Sequence, residues 1–386
     1  MNRLQGKRQF IQVLKGPRQV GKTTIAKQLL NKINIPAHYA SADGMSGAGY
    51  IWLEEQWEIA HVKQNNSKAL DFLLIIDEIQ KIPDWSETVK TQWDADSFND
   101  NPIKVLLLGS SALMMQQGLN ESLAGRFELM HIPHWSYTEM KACFDFSPEQ
   151  YVWFGGYPGA ASLIENEMRW KNYILESLIE TTISKDILML TRVNKPALMK
   201  QVFELGVKYS SKVLSFNKML GQLQDSGNTT TIAHYMRLLD HAGLLCGLPK
   251  IYKEELRKSS SSPKWQVKNT SLLSAYSPHT YKKIQQIPVT WGQHVESAIG
   301  AHLINHAQQG KYSVYYWRHR NDEVDYVIKK GDKIVGIEIK SGQTKQTRGM
   351  KSFKEKFNPY KILLAGTSGL HWKEFLNLNP DVLFNA

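Results

Sequence analysis

Two groups of residues in this sequence have the types and spacing for phosphate chemistry. The first is Gly16–Thr24, which matches the pattern G-x-x-x-x-G-K-[ST]. Gly16 and Gly21 let the backbone bend so that consecutive N–H groups face inward on an anion. A helix starting at this point adds partial positive charge to the same spot. Lys22 can reach the β- and γ-phosphates of ATP, the Thr23 hydroxyl can join a Mg²⁺ shell, and Thr24 follows in the same turn. Farther on, Asp71–Glu78 is an apolar run that ends in two carboxylates. Asp77 would hold Mg²⁺ through water, and Glu78 would orient and deprotonate an attacking water. The alternative for this pair is a helix cap.

The second group lies in the last third of the chain. Glu338 and Lys340 are two residues apart in an apolar run and would share one face of a strand. Asp325 sits on the preceding extended run, and Glu296 on an amphipathic run before that. This is the D…E-x-K order of a Mg²⁺-dependent phosphodiesterase. Asp325, Glu338 and Glu296 are its oxygen ligands. Lys340 orients water or offsets developing charge. An exposed hairpin carrying charges is the alternative, and a site of this kind can also bind without cutting.

The elements that must position these residues follow from the pattern. Gln9–Leu14 reads as a strand into the phosphate loop, and Thr24–Asn31 as the helix after it. Ile103–Leu108 is a further strand, which ends at Gly109, Ser110 and Ser111. Ser110 or Ser111 can sense the γ-phosphate there, or simply cap a helix over 112–117. Arg126, before the strand Phe127–Ile132, could stabilise transition-state charge in its own subunit or a neighbour's; the alternative is a structural ion pair. Arg18, inside the loop, offers a second guanidinium of the same kind. Phe144–Tyr157 reads as a connector, and Glu165–Leu190 as a helical lid or linker. Helical runs at Pro196–Tyr209, Ser215–Asp225 and Thr229–Ala242 precede two extended runs, as in a winged helix. His234, Tyr235 and Arg237 are the contacts its third helix would offer DNA, unless the module is a protein spacer. The basic stretch Lys250–Lys258 is the better DNA candidate.

The fold class expected is α/β in four parts. They are a P-loop parallel-sheet ATPase core over 1–143, a helical lid or linker over 144–194, a winged helix over 195–275, and a restriction-endonuclease-like α/β domain over 276–386. Asp77–Lys90, Leu108–Leu113, Glu121–Glu128 and Pro133–Ser136 together resemble a prokaryotic AAA-type ATPase family. Its members carry a C-terminal domain of unknown function similar to the PD-(D/E)xK nucleases. The resemblance runs along nearly the whole chain and implies the ATPase roles given to Lys22, Thr23, Asp77 and Glu78. It also implies a leader segment ahead of the first strand that would help cover the adenine; here the strand begins almost at Met1.

Charge divides the 386 residues unevenly. Residues 1–249 hold 25 Lys and Arg against 25 Asp and Glu, whereas residues 250–386 hold 22 against 11, so the whole net charge of +11 sits in the last third. Such a domain suits a polyanion, DNA first among them; the alternative is a solvated basic surface. A protein partner or a second copy of the chain is compatible with the same features. The two cysteines, Cys143 and Cys246, stand in no metal-ligand spacing. Basic residues near Met1 are not followed by a signal-like apolar stretch, and no apolar run is long enough to span a bilayer. The expectation is a cytoplasmic, DNA-directed ATPase with ATP and Mg²⁺ as cofactors. Its rivals are a nucleotide-switched DNA-binding protein with a silent nuclease fold, and an adaptor that recruits a protein.

Overall fold

The computed structural model describes residues 2–45, 49–99, 102–110, 122–188, 193–223, 227–253, 261–340, 348–366 and 369–385. The chain divides into two compact units, Met1–Ile132 and Pro133–Ala386. The lid, the three-helix segment and the C-terminal sheet, expected as separate domains, lie within the second of these.

The first unit is a five-stranded sheet in the order β2-β3-β4-β1-β5. Its strands are β1 (Ile11–Lys15), β2 (Ala37–Ser41), β3 (Leu73–Asp77), β4 (Lys104–Gly109) and β5 (Phe127–His131). All its pairings are parallel. Parallel strands are buried on both faces, which is why these runs are continuously apolar rather than alternating. Successive side chains go to opposite sides: Leu74, Ile76, Val105 and Leu107 join one core, and Leu73, Ile75, Leu106 and Leu108 the other. Helix α1 (Lys22–Leu30) contributes Ala26 to the second core. Helices α2 (Gly49–Ser67) and α3 (Trp85–Phe98) bring Trp52, Trp57, Trp85 and Trp93 to the first. Register places Lys15 beside Gly109 and Ser41 beside Asp77, so four strands deliver their last residues to one edge. Open α/β sheets bind ligands at that edge.

The second unit opens with α4 (Tyr137–Phe144), in residues expected to close the ATPase core, and the stretch read as a connector holds a further helix, α5 (Pro148–Phe154). Each starts with a serine capping box, Ser136 with Glu139 and Ser147 with Gln150. The expected lid is α6 (Glu167–Asn172), which runs on into π-helical turns at Tyr173–Glu180 and Thr182–Leu188. Three helices follow: α7 (Pro196–Lys208), α8 (Phe216–Leu220) and α9 (Thr229–His241). A two-stranded antiparallel hairpin, β6 (Leu245–Leu248) with β7 (Lys264–Val267), comes next. Val213 bridges to Lys264 on its other side. After α10 (Thr270–Ala275), the long α11 (Pro288–Gly310) leads into the C-terminal sheet.

That sheet runs β11-β10-β9-β8. Strands β8 (Ser313–His319), β9 (Asp322–Lys330) and β10 (Lys333–Lys340) form an antiparallel meander. Helix α12 (Arg348–Phe357) then carries the chain over to β11 (Lys361–Gly366), which pairs parallel to β10. Phe353 of α12 packs on Trp317, Val324 and Val327. Helix α11 approaches β9 so closely that a Cβ on Gly300 would lie 2.3 Å from the Tyr326 hydroxyl. Helix α13 (Trp372–Asn377) and a 3-10 turn at Pro380–Phe384 follow. No helix among the described residues is long and apolar enough to cross a membrane.

Candidate functional sites

The loop joins β1 to α1 through two glycines, one in a close approach and one at positive φ. A Cβ on Gly16 would sit 2.2 Å from the carbonyl oxygen of Ile132, whose N–H is fixed to Lys15 O at 2.8 Å. Gly21, at φ 91°, is the N-cap of α1 in the left-handed region and provides no side chain to satisfy the first helical N–H groups. A helix N-terminus without a side-chain cap is where backbone amides can meet an anion. The Lys22 ammonium donates to the carbonyls of Gly16 (2.9 Å) and Pro17 (2.7 Å), within the curl of the loop. Arg18 is half-buried in the same loop, and Thr24 is exposed on the first turn of the helix.

Across the edge, the Thr23 hydroxyl donates to Asp77 Oδ2 at 2.7 Å, although the two are 54 residues apart in sequence. Tyr39, near the end of β2, donates to the same oxygen at 2.9 Å. Burial, then its bond to Asp77, pushes the Tyr39 phenol well above its usual value, so it stays a donor. Asp77 Oδ1 accepts the N–H of Glu78 at 2.9 Å. Glu78 has left-handed backbone, at φ 54°. Its Oε2 accepts from Gln80 Nε2 (2.6 Å) and from the Ser110 hydroxyl (3.0 Å). The sheet thus brings together Lys22, Thr23, Asp77, Glu78 and Ser110. Tyr39 and Gln80 were not anticipated. Gln80 was within reach of sequence reasoning, two residues beyond the carboxylate it restrains. Ser111 and the helix expected over 112–117 lie outside the described residues.

Arg126 does not join this group in its own chain. It stands just before Phe127, which pairs with Ile11, so it lies at the opposite end of β1 from the loop. Its Nε and one terminal nitrogen donate to the two oxygens of Asp94 on α3 at 2.8 and 2.9 Å. That bond is the main reason the Asp94 carboxyl is held below its usual value.

The second site lies between α11, β9 and β10. Ile337 pairs with Tyr326, so the next step of the ladder sets Glu338 opposite Asp325. Residues directly opposite in an antiparallel pair share a face. Asp325 Oδ2 accepts the N–H of Ile339 at 2.8 Å. The Lys340 ammonium lies 3.0 Å from Glu338 Oε1, while Glu338 Oε2 is buried without a partner. Burial, reinforced by Asp325, pushes the Glu338 carboxyl up to about 7.

A residue the motif does not contain completes this cluster. Lys264 of β7 is 1% exposed and donates to Glu296 Oε1 at 2.7 Å and to the Asp325 carbonyl at 2.9 Å. Its Nζ also lies 3.6 Å from Asp325 Oδ1 and 4.4 Å from the centre of the Tyr326 ring. Burial works against its charge, but Glu296 and Asp325 hold the ammonium above the ordinary lysine value. Burial likewise pushes Glu296 up, to about 7, against the pull of Lys264; the short contact favours the ionised pair. Among the described residues, no three His, Cys, Asp or Glu side chains are grouped to hold a metal ion.

The expected DNA contacts divide. Tyr235 is buried and accepts the N–H of Lys195 at 3.2 Å, so it belongs to the core; His234 and Arg237 are exposed. Of the basic stretch after β6, residues 254–260 lie outside the described residues. Its start runs along the edge of β8, with Ile251 N–H on Tyr316 O at 2.9 Å. There burial, then Lys356 and Arg318, hold the Lys250 ammonium below its usual value.

Residues 8–141 match the family model of the AAA domain. The matched stretch includes the loop, Asp77, Glu78, Ser110 and Arg126. Residues 146–283 and 291–374 match two domains of unknown function, DUF8612 and DUF4143, whose descriptions carry no activity. No curated protein matches the chain. Among solved structures, the Aeropyrum pernix Orc1 protein in complex with DNA aligns at 12% identity with a TM-score of 0.31, over 68% of this chain and 85% of that one. The Thermotoga maritima RuvB Holliday junction branch migration motor aligns at 15% identity with a TM-score of 0.34, over 63% of this chain and 84% of that one. Scores this low do not establish a shared fold.

Proposed function

We propose that this protein binds and hydrolyses ATP in its AAA domain and uses that cycle to place a DNA-directed, nuclease-like C-terminal domain. The observation that carries the first half is the Thr23–Asp77 contact of 2.7 Å beside the uncapped start of α1. Two hard oxygen donors lie together where a triphosphate would meet the helix N-terminus, and that donor set fits Mg²⁺. When bound there, Mg²⁺ would neutralise charge on the β- and γ-phosphates. The loop amides and α1 bind the phosphates. Lys22 exchanges its two carbonyl partners for phosphate oxygens. Glu78 accepts a proton from the attacking water once it is released from Gln80 and Ser110. Arg126, at the far edge of its own sheet, acts on the nucleotide of a second copy or not at all.

For the second half, Asp325, Glu338 and Lys340 on one face support a nuclease-like domain, and the hairpin after α9 supports a winged-helix reading. The +11 excess confined to residues 250–386 favours DNA as the partner. A cytoplasmic location fits a chain acting on DNA. One observation favours a silent nuclease fold over a cutting one: Lys264 occupies the carboxylate cluster, so that donor set does not fit a divalent ion as it stands. Purified protein should therefore bind DNA with an affinity that falls steeply with salt. Lys22→Ala should abolish ATP turnover. Any Mg²⁺- or Mn²⁺-dependent cleavage should vanish in Asp325→Ala and Lys340→Ala. Salt-independent DNA binding, or turnover that survives Lys22→Ala, refutes the proposal.

A further inference from the structure

The carboxylate cluster of the C-terminal sheet is entered by a lysine from a different sheet. Lys264 belongs to the β6–β7 hairpin, and its backbone is firmly held. Val213 and Leu248 both pair with it. The next residue, Trp265, is fully buried and donates to Leu214 O at 3.0 Å. Gln266 donates to Ser297 O on α11 at 2.9 Å. The ammonium is thus delivered from a rigid strand to a point between Glu296 and Asp325.

We propose that Lys264 is a tethered cation that stands where a divalent ion would sit between Glu296 and Asp325, so the C-terminal domain does not take up such an ion there while the lysine is in place. Three observations carry this. The ammonium occupies the space between the two carboxylates, 2.7 Å from Glu296 Oε1 and 3.6 Å from Asp325 Oδ1. Asp325 Oδ2 accepts the Ile339 N–H and Oδ1 faces the ammonium, so both oxygens are already turned to positive groups. Glu338 Oε2, buried in a residue only 4% exposed, has no hydrogen-bond partner among the described residues, so the cluster keeps one oxygen that a cation admitted in place of the lysine would satisfy. An ion entering beside Lys264 would meet like charge in a poorly solvated site, where such repulsion is weakly screened. The inference rests on the nuclease-like reading of Glu296, Asp325, Glu338 and Lys340.

Mn²⁺ uptake by the full chain without nucleotide, followed by the electron paramagnetic resonance of free Mn²⁺, tests it. Wild type and Asp325→Asn should titrate identically. Lys264→Met should bind one additional Mn²⁺ at least ~10-fold more tightly than wild type does, as expected when an opposing unit charge is removed from a site of low dielectric. Adding Asp325→Asn to that variant should abolish the gain. Lys264→Met leaves Glu296 unpaired in the interior, so the Lys264→Met/Glu296→Gln pair, which removes both charges, is measured beside it and should show the same Asp325-dependent gain. If wild type already loses a bound Mn²⁺ on Asp325→Asn, the tethered-cation idea is overturned while the nuclease-like reading stands. If neither lysine variant gains a site, both fall together, and the ATPase and DNA-binding proposals are untouched.

Discussion

His302 makes the second unit sensitive to acid, and the size of the effect follows from its surroundings. It lies on the buried side of α11, where Nε2 donates to Leu378 O at 3.0 Å and Nδ1 has no partner. The His306 ring is 4.4 Å away, centre to centre, and Phe375 is 6.0 Å away. Burial, then the neighbouring His306, pushes the His302 imidazole from 6.5 down to about 3. An imidazole with a depressed folded value takes its proton first in the unfolded chain. Its contribution to stability is therefore complete above the unfolded value and is lost as pH falls toward the folded one. At about 1.4 kcal/mol per pH unit, moving from pH ~7 to pH ~5 costs about 2 kcal/mol through this residue alone. His302→Gln keeps a donor for Leu378 O but cannot titrate. Urea unfolding of both proteins at the two pH values, followed by circular dichroism, should show a loss in wild type that is about 2 kcal/mol larger than in the variant. Equal losses would refute the reasoning, since His302 would then be protonated no more readily unfolded than folded.

Two further outcomes follow from the AAA domain. Gly16→Ala should abolish binding of a fluorescent ATP analogue and lower the melting temperature of the protein, because its Cβ would come 2.2 Å from a carbonyl oxygen of the adjoining backbone. A variant that binds normally would mean that the loop has room it does not show. Gln80→Ala removes one of two restraints on Glu78 and should raise the basal rate of phosphate release. Glu78→Gln should lower that rate by about 10²–10⁴-fold. A basal rate in Gln80→Ala at or below wild type would show that the contact positions Glu78 rather than holding it back.

The AAA core was legible because its chemistry is local. A glycine loop followed by a helix, and an apolar strand ending in Asp77-Glu78, announce themselves within short windows, and parallel pairing then had one edge to bring them to. In the C-terminal third, the amphipathic run with Glu296 and the extended runs with Asp325 and Glu338 were readable for the same reason, through periodicity and turn residues; helix α12 was not anticipated. Lys264 was not. Its strand is four residues long, it follows a run of serines, and its partners lie 32 and 61 residues away. No spacing rule links a buried lysine to carboxylates on other elements. Tyr39 escaped for a similar reason, since only strand order puts β2 beside β3. Arg126 stayed open between its own subunit, a neighbour's and an ion pair, because a guanidinium before a strand does not reveal which end of the sheet it meets. Tyr235 looked like a DNA contact by type, but helical periodicity aims it inward with Ile232, Leu238 and Leu239.

The central claim is that ATP turnover in the AAA domain responds to DNA held by the basic C-terminal unit. The most direct measurement is the steady-state rate of Mg²⁺-dependent phosphate release, with and without duplex DNA, for wild type and Glu78→Gln. The account predicts turnover in wild type that DNA alters and that loses this response as salt rises, and a rate near background in Glu78→Gln under every condition. A wild-type rate indifferent to DNA, or one that Glu78→Gln leaves intact, would contradict it.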